Sequence, residues 1–237
     1  MQTLLRKGLK DIGIETSLDE EKEELFYIYL RELKRWNKKF NLTSYKEEDD
    51  IVIYHFLDSL LPLPHFPIRK GTLIDIGTGA GFPGVPLKII EPCFSLYLLE
   101  SNKKKIFFLK NLQKKLRLDF QILEGRAEDI ARLPQFRENL DMAVARAVAP
   151  LPVLLEYSLP FLKIGGRLVS YKGPKAQEEL ASSGKALEIL GGKIEKIIHC
   201  TLPIVGEKRV IIFILKERET PEKYPRRAGI PAKRPLK

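Results

Sequence analysis

The run Leu73-Ile74-Asp75-Ile76-Gly77-Thr78-Gly79-Ala80-Gly81-Phe82-Pro83-Gly84 constrains this chain more than any other stretch. An apolar strand pattern passes straight into a glycine-rich turn, and the turn into the helical pattern Val85 to Ile90. Glycine lets the backbone turn tightly and approach a ligand, while the N-terminus of a helix offers unpaired N–H groups to an anionic group such as a carboxylate. Pro86 suits the first helical turn, where a missing N–H is tolerated. Read from Gly79, the run satisfies G-x-G-x-x-G; read from Gly77, where the strand ends, it does not. Strand, turn and helix together predict a ligand site at the end of the first strand of an α/β sheet.

The rest of the chain agrees with such a sheet. Further strand-like segments are Phe94 to Leu99, Phe120 to Leu123, Asp141 to Ala145 and Gly166 to Tyr171, after a first at Thr72 to Ile76. Helical patterns lie between and after them, near Lys103 to Leu116, Leu151 to Leu162 and Ala176 to Leu190. Strand and helix in alternation predict a parallel, doubly wound sheet. Lys193 to Thr201 and Arg209 to Lys216 break the alternation, because the turn between them is too short for a crossover helix and forces an antiparallel hairpin. A reversed strand near the end of the sheet resembles the methyltransferase variant of the Rossmann-like fold. Upstream, Leu25, Ile28, Tyr29, Leu33 and Trp36 recur at helical steps from Ser17 or Asp19 to about Phe40. A second helix, about Ile51 to Leu61, follows the acidic loop Lys46 to Asp50, and Pro62, Pro64 and Pro67 then read as a linker. Three regions are expected: a helical cap over 1–67, a ligand-binding domain over 68–217, and a basic C-terminal arm over 218–237.

With 237 residues, 44% of them hydrophobic, the chain can bury a full core. Cys93 and Cys200 stand alone, without metal-ligand spacing, and neither a disulfide framework nor a zinc site is suggested. No apolar run approaches membrane-spanning length, so a cytoplasmic protein without membrane attachment is expected. The net charge of +10 is uneven: residues 71–215 carry 21 basic against 15 acidic side chains, and residues 216–237 carry 8 against 3. A basic surface of this kind suits a polyanion, although it also suits simple solubility.

Individual residues allow more than one use. Glu100 ends the second strand 23 residues after Gly77, where a carboxylate can accept both hydroxyls of a ribose, the reading that the spacing favours over a cap for the helix starting at Lys103. Gly125-Arg126-Ala127-Glu128-Asp129 follows the third strand, where a loop could close over an adenine ring or simply begin a helix. Arg146, leaving the fourth strand, is open to a cofactor, to a phosphate, or to an ion pair with Glu128 or Asp141.

Trp36-Asn37-Lys38-Lys39-Phe40-Asn41-Leu42-Thr43-Ser44, His55-Phe56-Leu57-Asp58-Ser59, the glycine turn, Arg146-Ala147 and Tyr224-Pro225-Arg226-Arg227-Ala228-Gly229-Ile230-Pro231 occur in order across nearly the whole chain. Together they closely resemble the bacterial small-subunit ribosomal RNA guanine-N7 methyltransferases, also called the glucose-inhibited division protein B family. The resemblance implies methyl transfer from S-adenosylmethionine to N7 of a guanine in the decoding-region loop of 16S ribosomal RNA, on the naked RNA or the small ribosomal subunit. It implies cofactor contacts at Gly77, Gly79, Phe82, Glu100, Ala127, Glu128 and Arg146, and no catalytic base or metal. Asn41, His55 and Lys172 are candidates for the RNA side, as are Arg226 and Arg227 on an extended arm for phosphates, although a solvated tail is the default reading of such a cluster. Asn41 can also cap a turn, and a lone histidine such as His55 is often a packed, hydrogen-bonded residue. A monomer is expected. Rival uses of such a chain are methylation of a small molecule or protein, an RNA-binding assembly factor with a vestigial cofactor site, and nicotinamide redox chemistry.

Overall fold

A computed structural model describes residues 1–14 and 17–236. Seven strands, β1 (Gly71–Ile76), β2 (Phe94–Glu100), β3 (Phe120–Glu124), β4 (Leu140–Arg146), β5 (Leu162–Lys172), β6 (Gly192–Thr201) and β7 (Lys208–Lys216), form one sheet. Their order is β3-β2-β1-β4-β5-β7-β6. β1 pairs in parallel with both β2 and β4, and β7 runs antiparallel to its neighbours β5 and β6. The expected reversed strand is therefore β7. The chain leaves β1 toward β2 and β3 on one side and returns to β4 on the other, so the sheet has its switch point between β1 and β4. Ligands of such sheets lie beyond the carboxyl ends of the strands at that point.

Alternate residues of each strand feed opposite cores, as a period of two requires. Leu73, Leu96, Val144 and Val169 join one cluster; Ile74, Ile76, Ala143 and Leu168 join the other. The first cluster also contains Leu9 from α1 (Gln2–Ile12), Phe26 and Leu33 from α2 (Glu20–Phe40), and Leu109 and Leu112 from α6 (Lys103–Leu116). The N-terminal helices thus cover one face of the sheet and share its core. Asp19 caps α2 through Lys22 N (2.9 Å), and three glutamates occupy the first turn, where the helix dipole favours them.

Several elements differ from expectation. α1 has weak sequence signals, because its buried side is only Leu5, Gly8 and Leu9. The helix expected from Ile51 begins earlier, as α3 (Glu48–Ile51), widens into a π-helical stretch (Val52–Leu57), and ends as α4 (Asp58–Leu60). The helix expected over Leu151 to Leu162 is α8 (Leu151–Ser158) followed by a 3-10 turn at Leu159–Phe161, since Pro160 cannot donate to a longer helix. The one expected over Ala176 to Leu190 divides into α9 (Ala176–Ala181) and α10 (Gly184–Leu190). The break falls at Ser182 and Ser183, whose hydroxyls both donate to Glu179 O (3.0 and 2.5 Å). Short helices α5 (Gly84–Ile90), α7 (Ala127–Ile130) and α11 (Ile230–Lys233) complete the chain. Lys237, the last residue of the expected arm, lies outside the described residues.

Candidate active site

Two clefts open at the carboxyl ends of the strands. The first is lined by Gly77, Leu99, Glu100, Gly125, Ala127, Glu128, Val148 and Tyr157. Gly77 has φ +67, and a Cβ there would lie 3.0 Å from Val148 Cγ2. Glycine is thus required at the strand end both by conformation and by space. Glu100 is 7% exposed. Its Oε2 accepts from Gly79 N (2.9 Å), and its Oε1 accepts from Ser101 N and Asn102 N (both 2.8 Å). The helix cap proper is Asn102, which accepts from Lys104 N and Lys105 N. Glu100 is therefore fixed by three amides at the lip of the cleft, with one acceptor position, on Oε2, left for a ribose hydroxyl. Glu128 is buried and accepts from Gly229 N (2.9 Å). A purine nucleoside with a free ribose diol suits two fixed carboxylates around a glycine strand end; these are the parts that S-adenosylmethionine presents.

Gly79 and Phe82 do not line this cleft. Gly79 serves Glu100 through its N–H, and Phe82 turns toward the N-terminal helices. Its ring is stacked between Tyr29 (centroids 5.1 Å) and His55 (4.4 Å). Tyr29 in turn donates to Ala80 O (2.5 Å), and burial pushes its phenol well above the usual range. The glycine turn is thereby anchored to α2.

The second cleft, about 590 Å³, is lined among others by Tyr45, Tyr54, His55, Asp58, Arg146, Val148, Tyr171, Lys172 and Arg209. Val148 lines both clefts and stands between them. Arg146 donates to Asp58 Oδ2 (2.6 Å), to Tyr54 O (3.0 Å) and to His55 Nδ1 (3.1 Å). Asp58 Oδ1 accepts from Arg209 Nε (2.9 Å). The partner of Arg146 is therefore Asp58, and not Glu128 or Asp141 as its sequence position allowed. A guanidinium can only donate, so His55 Nδ1 accepts and Nε2 carries the proton, donated to Thr43 Oγ1 (2.6 Å). Burial, reinforced by Arg146, lowers the His55 pKa to about 3. His55 is thus a neutral, packed histidine at the cleft. The π-helical stretch carries Tyr54 and His55, and delivers Asp58 just after it; such wide turns recur at functional sites.

Between the clefts, Ala147 has φ +57, a conformation uncommon for a residue with a Cβ. It turns the chain so that Arg146 faces the second cleft while Val148 separates the two. Within β1, Asp75 accepts from Thr78 Oγ1 (2.6 Å) and Gly84 N (2.7 Å), and burial raises its pKa to about 7.

Other candidates have different roles. Lys172 donates to Ala149 O (2.8 Å) and pairs with Glu179 (2.7 Å), which itself caps Leu151 N (2.7 Å). It braces the loop after β4 and has no free charge to offer a phosphate. Asn41 ends α2 in the left-handed region, φ 49, and is exposed beside Lys38 and Lys46. The expected phosphate arm is corrected at Arg226: its guanidinium grips Glu156, which is 0% exposed, from Nε and Nη2 (2.9 and 2.6 Å). A buried carboxylate must be paired, and Arg226 is its partner. Arg227 remains exposed. Asp58, Val148, Tyr157 and Arg209 received no role from sequence; Asp58 stood within one of the family-like motifs, but nothing local pointed to its distant arginines.

Residues 22–210, which include every residue that lines the two clefts, match the family model described as rRNA small subunit methyltransferase G. The chain belongs to that family. The rRNA small subunit methyltransferase G of Acetivibrio thermocellus is 46% identical over 237 residues, covering 100% of this chain and 97% of that protein. The protein of the same name from Dictyoglomus thermophilum is also 46% identical, covering 98% and 96%. A SAM dependent methyltransferase from Aquifex aeolicus shares the fold, with TM-score 0.53 and 19% identity over 70% of this chain and 93% of that one. A ribosomal protein L11 methylase from Lactobacillus delbrueckii does so at TM-score 0.53 and 15% identity, over 70% and 79%. Family members at this identity and coverage make the chain an enzyme of the methyltransferase class rather than an oxidoreductase.

Proposed function

We propose that this methyltransferase moves the methyl group of S-adenosylmethionine to N7 of a guanine in the decoding-region loop of 16S ribosomal RNA. The observation that carries the reading is that two clefts lie side by side across Val148, one suited to a nucleoside cofactor and one large enough for a nucleotide. Gly77, Glu100, Ala127 and Glu128 hold the cofactor; Gly79 positions Glu100, and Phe82 fixes the glycine turn against Tyr29 and His55. S-adenosylmethionine supplies an electrophilic methyl on a sulfonium. Tyr45, Tyr54 and the Arg146–Asp58–Arg209 cluster orient the base in the second cleft. N7 of guanine carries no proton, so these residues have none to remove. Neutral His55 and the paired arginines suit such chemistry, since they hold and orient, and positioning alone can lower a barrier by several kcal/mol.

The three regions 1–67, 68–217 and 218–237 serve as substrate-facing cap, cofactor domain and clamp. No helix among the described residues is long and apolar enough to cross a membrane. A cytoplasmic monomer acting on RNA or on the small subunit completes the reading. Transfer of labelled methyl from S-adenosylmethionine into small-subunit RNA, with none entering bulk protein or small metabolites, is the expected result. Cofactor binding without any transfer would support an assembly factor instead.

A further inference from the structure

The basic excess of the central domain has one address. Residues 103–117 contain seven Lys and Arg and no acid, whereas the whole stretch 71–215 exceeds neutrality by six. Of the six lysines in α6, Lys110 alone is ion-paired among the described residues, to Glu124 at 2.5 Å. Lys103, Phe107, Lys110 and Lys114 follow each other at three- and four-residue steps, which places them on one exposed face. Phe107 is 58% exposed, a poor position for a phenyl ring without a partner. The ring is held edge-on by Trp36 of α2 (centroids 5.3 Å), and Lys39 lies over the indole at 6.0 Å. Glu32 locks the two helices together, since its Oε2 accepts from Trp36 Nε1 (3.2 Å) and Asn111 Nδ2 (2.7 Å). The ridge is therefore rigid, basic and aromatic at once.

It also leads to the acceptor cleft. Asn37, next to Trp36, accepts from Thr43 N at 2.9 Å, and Thr43 holds His55 at 2.6 Å. Tyr45, two residues further, stacks on Tyr54 (4.6 Å, 1°) at the cleft wall.

From this arrangement we infer that the α2–α6 ridge is an RNA-docking surface outside the reaction pocket. Lys39, Lys103 and Lys114 take the phosphates of the strand that flanks the target nucleotide, and one unpaired base of that strand stacks on Phe107. Single-stranded nucleic acid is held in this way by a basic track with aromatic platforms. The inference rests on RNA being the substrate.

The test uses the full chain, a single-stranded RNA oligonucleotide and the small ribosomal subunit. In the triple variant Lys39→Gln/Lys103→Gln/Lys114→Gln, oligonucleotide affinity should fall and the slope of log K against log salt should flatten by about two, near 0.7 per lost phosphate contact. Phe107→Ala should weaken the oligonucleotide about tenfold with the salt slope unchanged. Both should raise KM for the RNA substrate, leave kcat at saturation, and leave S-adenosylmethionine affinity unchanged by calorimetry. Oligonucleotide binding equal to wild type in both variants would overturn the inference. If methylation of the subunit nonetheless fell, the ridge would be a dock for a ribosomal protein. A wild-type chain that methylates no RNA would instead contradict the proposed function.

Discussion

At Gly77 a single carbon atom decides whether the cofactor cleft can exist. With φ +67 and Val148 only 3.0 Å from a Cβ, Gly77→Val must displace either the strand end or the wall between the clefts. The variant should stay folded and lose S-adenosylmethionine binding in calorimetry; unchanged affinity in a folded protein would remove Gly77 from the site. Ala147 supplies the opposite experiment. Its φ of +57 strains a residue with a Cβ, so Ala147→Gly should leave the melting temperature unchanged or raise it. Methyl transfer should fall all the same, because a looser turn no longer fixes Val148 and Arg146. Activity equal to wild type would mean that the strained turn has no part in positioning. The glycine turn and Glu100 were legible in sequence because a strand, a turn and a spaced acid are local signals. Asp58 was not: its meaning lies in Arg146 and Arg209, 88 and 151 residues away.

The C-terminal arm shows how an element can look like one thing in sequence and be another in the fold. Proline-separated arginines read as a solvated phosphate arm, yet Tyr224 is buried, Arg137 donates to Thr220 O (2.7 Å) and Tyr224 O (2.9 Å), and Gly229 N donates to Glu128. Sequence could not reveal this, since Glu156 sits in an apolar helix where nothing local marks it as a buried charge awaiting a partner. Arg226→Ala leaves that charge uncompensated and should destabilise the protein by about 3–5 kcal/mol. It should free the arm to proteases while leaving the salt dependence of RNA binding intact. A stable variant with a flattened salt slope would restore the phosphate-arm reading. The parallel sheet and its reversed strand followed from alternation and from the short β6–β7 turn, whereas the strand order did not. The break between α9 and α10 was not legible either, because serine hydroxyls competing for a backbone carbonyl act through geometry rather than periodicity.

For the molecule as a whole, two buried groups make opposing contributions to stability between about pH 4 and 6.5. His55 has a folded pKa of about 3, below its ordinary value of 6.5, so its contribution is present above 6.5 and is lost as pH falls toward 3. Asp75 has a folded pKa of about 7, above its ordinary 3.8, so its contribution is complete below 3.8 and is lost as pH rises through 7. Denaturant titrations should therefore show a nearly level profile in wild type. Asp75→Asn should unmask a rise with pH, and His55→Gln a fall; identical profiles for all three proteins would contradict both assignments. The same neutral His55 bears on catalysis, since single-turnover transfer should be flat from about pH 6 to 9 when no base is needed. The acceptor atom is the most direct test of all. Small-subunit RNA methylated by the protein should be cleaved by reduction and aniline treatment at one guanine in the decoding-region loop, the reaction of a 7-methylated base. Incorporated methyl that leaves every guanine resistant to this cleavage, as an exocyclic amine or ribose hydroxyl would, contradicts N7 as the acceptor.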